Sequence, residues 1–131
     1  MSGNAVMRAA DAMLRSLGGE EISMLLPLTA MPGDASAQLG LADPGVEEVK
    51  ISPVIVRNLP TANSGPRRRV EFLVPASGIA MALSARDFAG AEQLMDSTLG
   101  IVYEGELFHI EGFTSEYFGG MAYLYRVVGV E

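Results

Sequence analysis

LGIVYEGELFHIEGFTSEYFGGMAYLYRVVGV, residues 99–130, carries the clearest structural pattern of the chain. Ile101-Val102-Tyr103 runs into a turn at Glu104-Gly105, Leu107-Phe108-His109-Ile110 returns, and a third apolar run from Met121 to Val128 follows a second turn at Gly119-Gly120. Strand, glycine turn, strand, glycine turn, strand is the signature of an antiparallel meander. Its last strand is apolar on both sides. Met121, Tyr123, Tyr125 and Val127 share one face, Ala122, Leu124, Val128 and Val130 the other, and Arg126 is the only charge. A sheet with one wet face alternates more cleanly, so this wall is expected to be covered from outside by a helix or another subunit.

Residues 69–75 carry the cleanest alternation of the chain. Val70, Phe72 and Val74 are expected to point inward, Arg69 and Glu71 outward, and Pro75 ends the strand. A preceding strand over residues 46–58 is interrupted by Pro53, which cannot donate to a ladder and so marks an edge or a bulge. The polar loop between these two strands leads into Arg67-Arg68-Arg69, so residues 54–74 read as a long protruding hairpin with a basic tip. Residues 21–26 form a further strand.

Helix is the minor component. Val6, Ala10, Met13, Leu14 and Leu17 recur at helical spacing behind Asn4, and Gly18-Gly19 supplies a stop, which places a helix within residues 1–19. Its apolar stripe is expected over the sheet of its own chain or docked into a neighbour. Ser84-Ala85-Arg86-Asp87 resembles a capping box and opens a second helix over about 85–95, with Phe88, Ala91, Leu94 and Met95 as its buried face. Residues 29–45 show no period and are punctuated by Pro32-Gly33-Asp34, Gly40 and Asp43-Pro44-Gly45, a loop long enough to be functional or simply flexible. Met31, Leu39 and Leu41 suit a segment that orders against a partner.

The totals set limits on function. A chain of 131 residues reads as a single domain, 1–131, that can bury a real core. Cysteine is absent, which removes disulfides, thiolate metal sites and cysteine nucleophiles. No apolar run approaches the roughly 20 residues of a spanning helix, and no signal-peptide core is visible, so no membrane association is expected. The net charge of −7 is unevenly spread: −3 over residues 1–45, +2 over 46–75 and −6 over 76–131. Such acidity argues against phosphate-backbone binding as the main activity. An apolar fraction of 49% with eight methionines fits either a well-filled core or a subunit that hides surface against partners.

Catalytic and cofactor chemistry find little support. His109 is the only histidine and sits between two apolar strand residues, which fits a sheet position. Glu104, Glu106, Glu111 and Glu116 lie near the turns of the meander, where glutamates are normally solvated rather than raised to a working pKa. Phosphate loops, calcium loops and Walker lysines are missing from the sequence. The reading is therefore no enzyme, no cofactor and no metal. Arg67, Arg68 and Arg69 are the sharpest local feature: a solvated loop tip, a contact for an acidic protein surface, or a nucleic-acid contact. A second copy of this acidic chain supplies one such surface, and head-to-tail contact of that kind builds a ring or filament.

The order of elements resembles the neck proteins of tailed bacteriophages, the head-closure, head-completion and head-tail adaptor family. The pattern Gly105-Glu106-Leu107-Phe108-His109-Ile110 is similar to the Gly-x-x-aromatic-x-aliphatic run in the later strands of that family. The resemblance implies a mainly β chain, a small antiparallel β-barrel or sandwich with a long protruding hairpin and one or two short helices. It also implies a virion protein without catalytic activity: a homo-oligomeric ring between a portal or adaptor protein above and a tail protein below, through which DNA passes without sequence-specific binding. In that setting Arg67, Arg68, Arg69, Met31, Leu39 and Leu41 are expected at subunit or partner contacts. Glu104, Glu106, Glu111 and Glu116 are expected to line the channel and repel the phosphate backbone. Two helices exceed what a minimal barrel needs, which keeps a tail-terminator or other tail-proximal ring protein open. A reading of another class is a small β-barrel that binds a peptide or small ligand on Tyr103, Phe108, Tyr123 and Tyr125.

Overall fold

The computed structural model describes residues 3–27, 46–60, 67–86 and 88–131. Six strands, β1 (Glu20–Pro27), β2 (Val46–Leu59), β3 (Arg69–Pro75), β4 (Gly100–Tyr103), β5 (Glu106–Phe118) and β6 (Met121–Val130), close into an antiparallel barrel in the order β1-β2-β3-β6-β5-β4. Among the described residues three helices accompany them: α1 (Gly3–Ser16), α2 (Ala76–Ser84) and α3 (Ala91–Ser97).

The meander supplies half of the wall. Glu104 and Gly105 both take positive φ, 52° and 77°, and so do Gly119 and Gly120, 61° and 77°. Such paired left-handed conformations match the twist of a two-residue hairpin. β5 is longer than its apolar core implied. It pairs with β4 from Glu106 to Phe108 and with β6 from His109 to Phe118, with irregularities between Ile110 and Gly112 and between Glu116 and Tyr117. Glu111 and Glu116 therefore lie within a strand rather than at turns.

β2 changes partners along its length. Its first part pairs with β1, from Val46 opposite Pro27 to Val54 opposite Glu20, and its last part, from Ile55 to Leu59, pairs with β3. The register slips between Glu20 and Ile22, opposite the segment that contains Pro53. The missing N–H of Pro53 thus coincides with the corner where the strand leaves one neighbour for the next. The Ser52–Pro53 peptide is cis. The described part of the 54–74 hairpin is barrel wall, and its loop, residues 61–66, lies outside the described residues.

Inward residues fill the interior. Phe72 is fully buried at its centre, with edge-to-face rings from Phe108 at 5.7 Å and Tyr103 at 6.1 Å between centroids. Gly129 permits this packing, because a Cβ there would meet both Phe108 and Phe72 at 3.0 Å. Each large apolar side chain so buried contributes about 1.5–3 kcal/mol relative to exposure.

Two helix expectations need correction. One helix that the sequence pattern does not announce, α2, starts directly after Pro75 and buries Ala76, Ile79 and Ala82. The helix expected over 85–95 is displaced to Ala91–Ser97, although Leu94 and Met95 are buried as anticipated. The cause lies at its start. Arg86 donates to the Ala82 carbonyl and pairs with Glu47 of β2, Gly90 is extended, and the Gln93 side chain accepts the Ala89 N–H. Asp87 of the expected capping box lies outside the described residues. α1 lies across its own barrel. Ala10, Leu14 and, on β6, Leu124 are buried apart from the interior cluster, so the outer face of β6 is covered here by a helix of the same chain. Asp11 accepts a hydrogen bond of 2.7 Å from the Ser77 hydroxyl in the first turn of α2, tying the two helices together.

Candidate interaction surface

The barrel is closed at both ends by its own chain. At one end, buried side chains of α2 and α3 join the interior cluster. At the other, the Arg68 guanidinium lies 5.7 Å from the Phe108 ring centroid, donates from Nε and Nη2 to Asn58 Oδ1 at 3.3 Å, and from Nη1 to Glu106 Oε2 at 3.2 Å. The Arg68 carbonyl accepts the N–H of Glu131 at 2.9 Å, which holds the end of the chain at the same mouth. Beside it the Tyr103 hydroxyl donates to the Glu20 carboxylate at 2.8–2.9 Å. Burial raises the Tyr103 phenol well above its ordinary value, and hydrogen bonding to Glu20 adds to the rise. Tyr125 is shifted the same way, again chiefly by burial.

Arginines and glutamates singled out separately in the sequence meet within one molecule. Arg68 pairs with Glu106, and Arg69 grips Glu111 with two hydrogen bonds of 2.9 and 3.2 Å. Glu116 accepts a bond of 3.0 Å from Arg126, which also lies 3.7 Å from Glu71, itself 3.4 Å from Arg57. An alternating row of charge thus crosses the outside of β2, β3, β6 and β5. Of the arginine triplet, Arg67 alone is exposed and has no ion pair among the described residues. Glu104 stands at the exposed β4–β5 turn. Met31, Leu39 and Leu41 lie outside the described residues.

The aromatic face considered for ligand binding is largely inside. Phe108 is fully buried, and Tyr103 and Tyr125 are each 8% exposed. The open features lie elsewhere. A groove of roughly 450 Å³ runs between the end of α3 and β5, lined in part by Met95, Asp96, Leu99, His109 and Ile110. The far end of the β5–β6 hairpin carries Tyr117, Phe118 and Met121, all exposed, with Tyr117 at 65%. His109 faces the groove, and among the described residues no group of three metal-binding side chains occurs. The only sequence sign of the apolar hairpin end was the Tyr-Phe-Gly-Gly-Met run, which reads equally well as a buried turn. No described helix is long and apolar enough to cross a membrane. No family model, curated protein or solved structure matches the chain.

Proposed function

We propose that this protein is a structural subunit of the tailed-phage neck, a ring-forming virion component that joins a portal or adaptor to the tail around the DNA channel. The observation that carries the reading is the filled barrel. Its interior is occupied by Phe72, Phe108 and Tyr103 and both mouths are closed by the chain itself, so its outer surfaces remain available for function. A scaffold of this kind presents surfaces to neighbours. The resemblance in element order and in residues 105–110 supplies the identity of those neighbours.

The internal ion pairs refine the two contact hypotheses. A channel lining built from Glu106, Glu111 and Glu116 is closer to neutral than the sequence suggests, because each is matched by an arginine of the same chain. Arg67, the exposed member of the triplet with no ion pair among the described residues, is the better candidate for a neighbour's carboxylate. Mixing the purified chain with the portal protein of the same genome and imaging the product tests the proposal. A ring of copies seated on the portal is expected; no binding to portal, adaptor or tail proteins overturns it. Arg67→Ser is expected to weaken that ring while leaving the fold intact by circular dichroism, and unchanged assembly would remove Arg67 from the interface. A tail-proximal position is the second reading, favoured if the chain binds the tail tube and ignores the portal.

A further inference from the structure

Among the described residues, the barrel leaves one edge of β5 open. β4 pairs with β5 only as far as Phe108, so beyond that point the side of β5 turned away from β6 has no strand partner among the described residues. Exposed edges are usually guarded by lysine, proline or bulges. β5 contains no lysine, arginine or proline, and its two bulges bracket a regular run, residues 112–116, rather than interrupt it.

We propose that residues 112–116 pair antiparallel with the same segment of a second copy of this chain, about a two-fold axis at Thr114. Three features of the molecule select a second copy as the occupant. First, the run has an odd length centred on Thr114, so self-pairing sets 112 opposite 116, 113 opposite 115 and Thr114 opposite itself, a favourable cross-strand pair. Second, the same symmetry carries the exposed Tyr117 and Phe118 of one copy towards the groove beside Ile110 and Leu99 of the other, and the reverse. An isologous contact requires this kind of self-complementarity. Third, charge permits it. Glu111 and Glu116 are each held by an arginine of their own chain, and the register places Glu116 opposite Gly112 rather than opposite another carboxylate. The contact is two-fold and therefore separate from the head-to-tail contact of a ring, and it stands independently of the neck reading.

Sedimentation velocity over a concentration series, combined with amide hydrogen exchange, tests the pairing. The expected result is a reversible dimer in which alternate amides within residues 112–116, those pointing away from β6, gain protection as concentration rises. Replacing Tyr117 and Phe118 together by Glu is expected to weaken dimerisation at least tenfold, the fold being checked by circular dichroism. Replacing the exposed Met13 and Leu17 of α1 by Glu is expected to leave it unchanged. A monomer at every concentration overturns the proposal, as does a dimer whose β5 amides exchange as in the monomer. A dimer weakened by the α1 variant and indifferent to the β5 variant also overturns it. Portal binding is read in a different assay, so either proposal can fail alone.

Discussion

The two ends of the barrel are closed by opposite kinds of chemistry. One is stoppered by apolar side chains of α2 and α3, among them Ile79, Ala82, Leu94 and Met95, each at most 3% exposed. The other is latched by polar groups: Arg68 over Phe108 and onto Asn58 and Glu106, with the Tyr103 hydroxyl on Glu20. The apolar end draws its stability from burial and responds little to salt. The polar end gives less, because its ion pair is partly exposed and screened, but it ties together residues of β1, β2, β4 and β5 beside Glu131. Stability and positional control thus reside at opposite ends of the same barrel.

Removing the stopper is the severest way to break that contrast. Leu94→Ala deletes a fully buried side chain and is expected to cost about 2–5 kcal/mol in chemical denaturation, with little dependence on salt. Gly129→Ala attacks the polar end from within, forcing a Cβ against Phe72 and Phe108, and is expected to cost about 1–3 kcal/mol. Arg68→Ala loosens the latch from outside, with an expected loss of about 1 kcal/mol that shrinks as salt is added. A salt-independent loss would mean that the arginine acts through packing alone.

The smallest effect belongs to pH. Because the folded protein holds the Tyr103 phenol above its unfolded value of 10.0, the contribution is fully present below pH 10 and is lost as pH rises above it. In denaturation measured across alkaline pH, Tyr103→Phe should flatten part of that decline. Tyr125, also raised, accounts for a further part.

Local pattern was enough to read the wall of the barrel. The alternation of Val70, Phe72 and Val74 and the glycine turns at 104–105 and 119–120 all appear in the structure as their neighbours in sequence imply. α2 escaped because apolar residues and small serines leave it without a clear helical stripe, and because Pro75 closes a strand as readily as it precedes a helix. The displacement of α3 depends on Arg86 reaching Glu47, a contact across 39 positions that no window of sequence contains. The same holds for the surface. Arg67, Arg68 and Arg69 stand out as a cluster in sequence, yet Arg68 and Arg69 are matched by glutamates 38 and 42 positions away, brought near by the folded barrel. Charge runs read from sequence therefore overstated what is free to meet a partner, whereas the exposed end of the β5–β6 hairpin was understated.

The proposal that this filled barrel is a structural subunit of a phage neck meets its sharpest test in cryo-electron microscopy of purified virions of a tailed phage whose genome carries this gene. A ring of six-stranded barrels is expected at the head–tail junction, surrounding the DNA path. Particles with complete necks that lack this chain would contradict it.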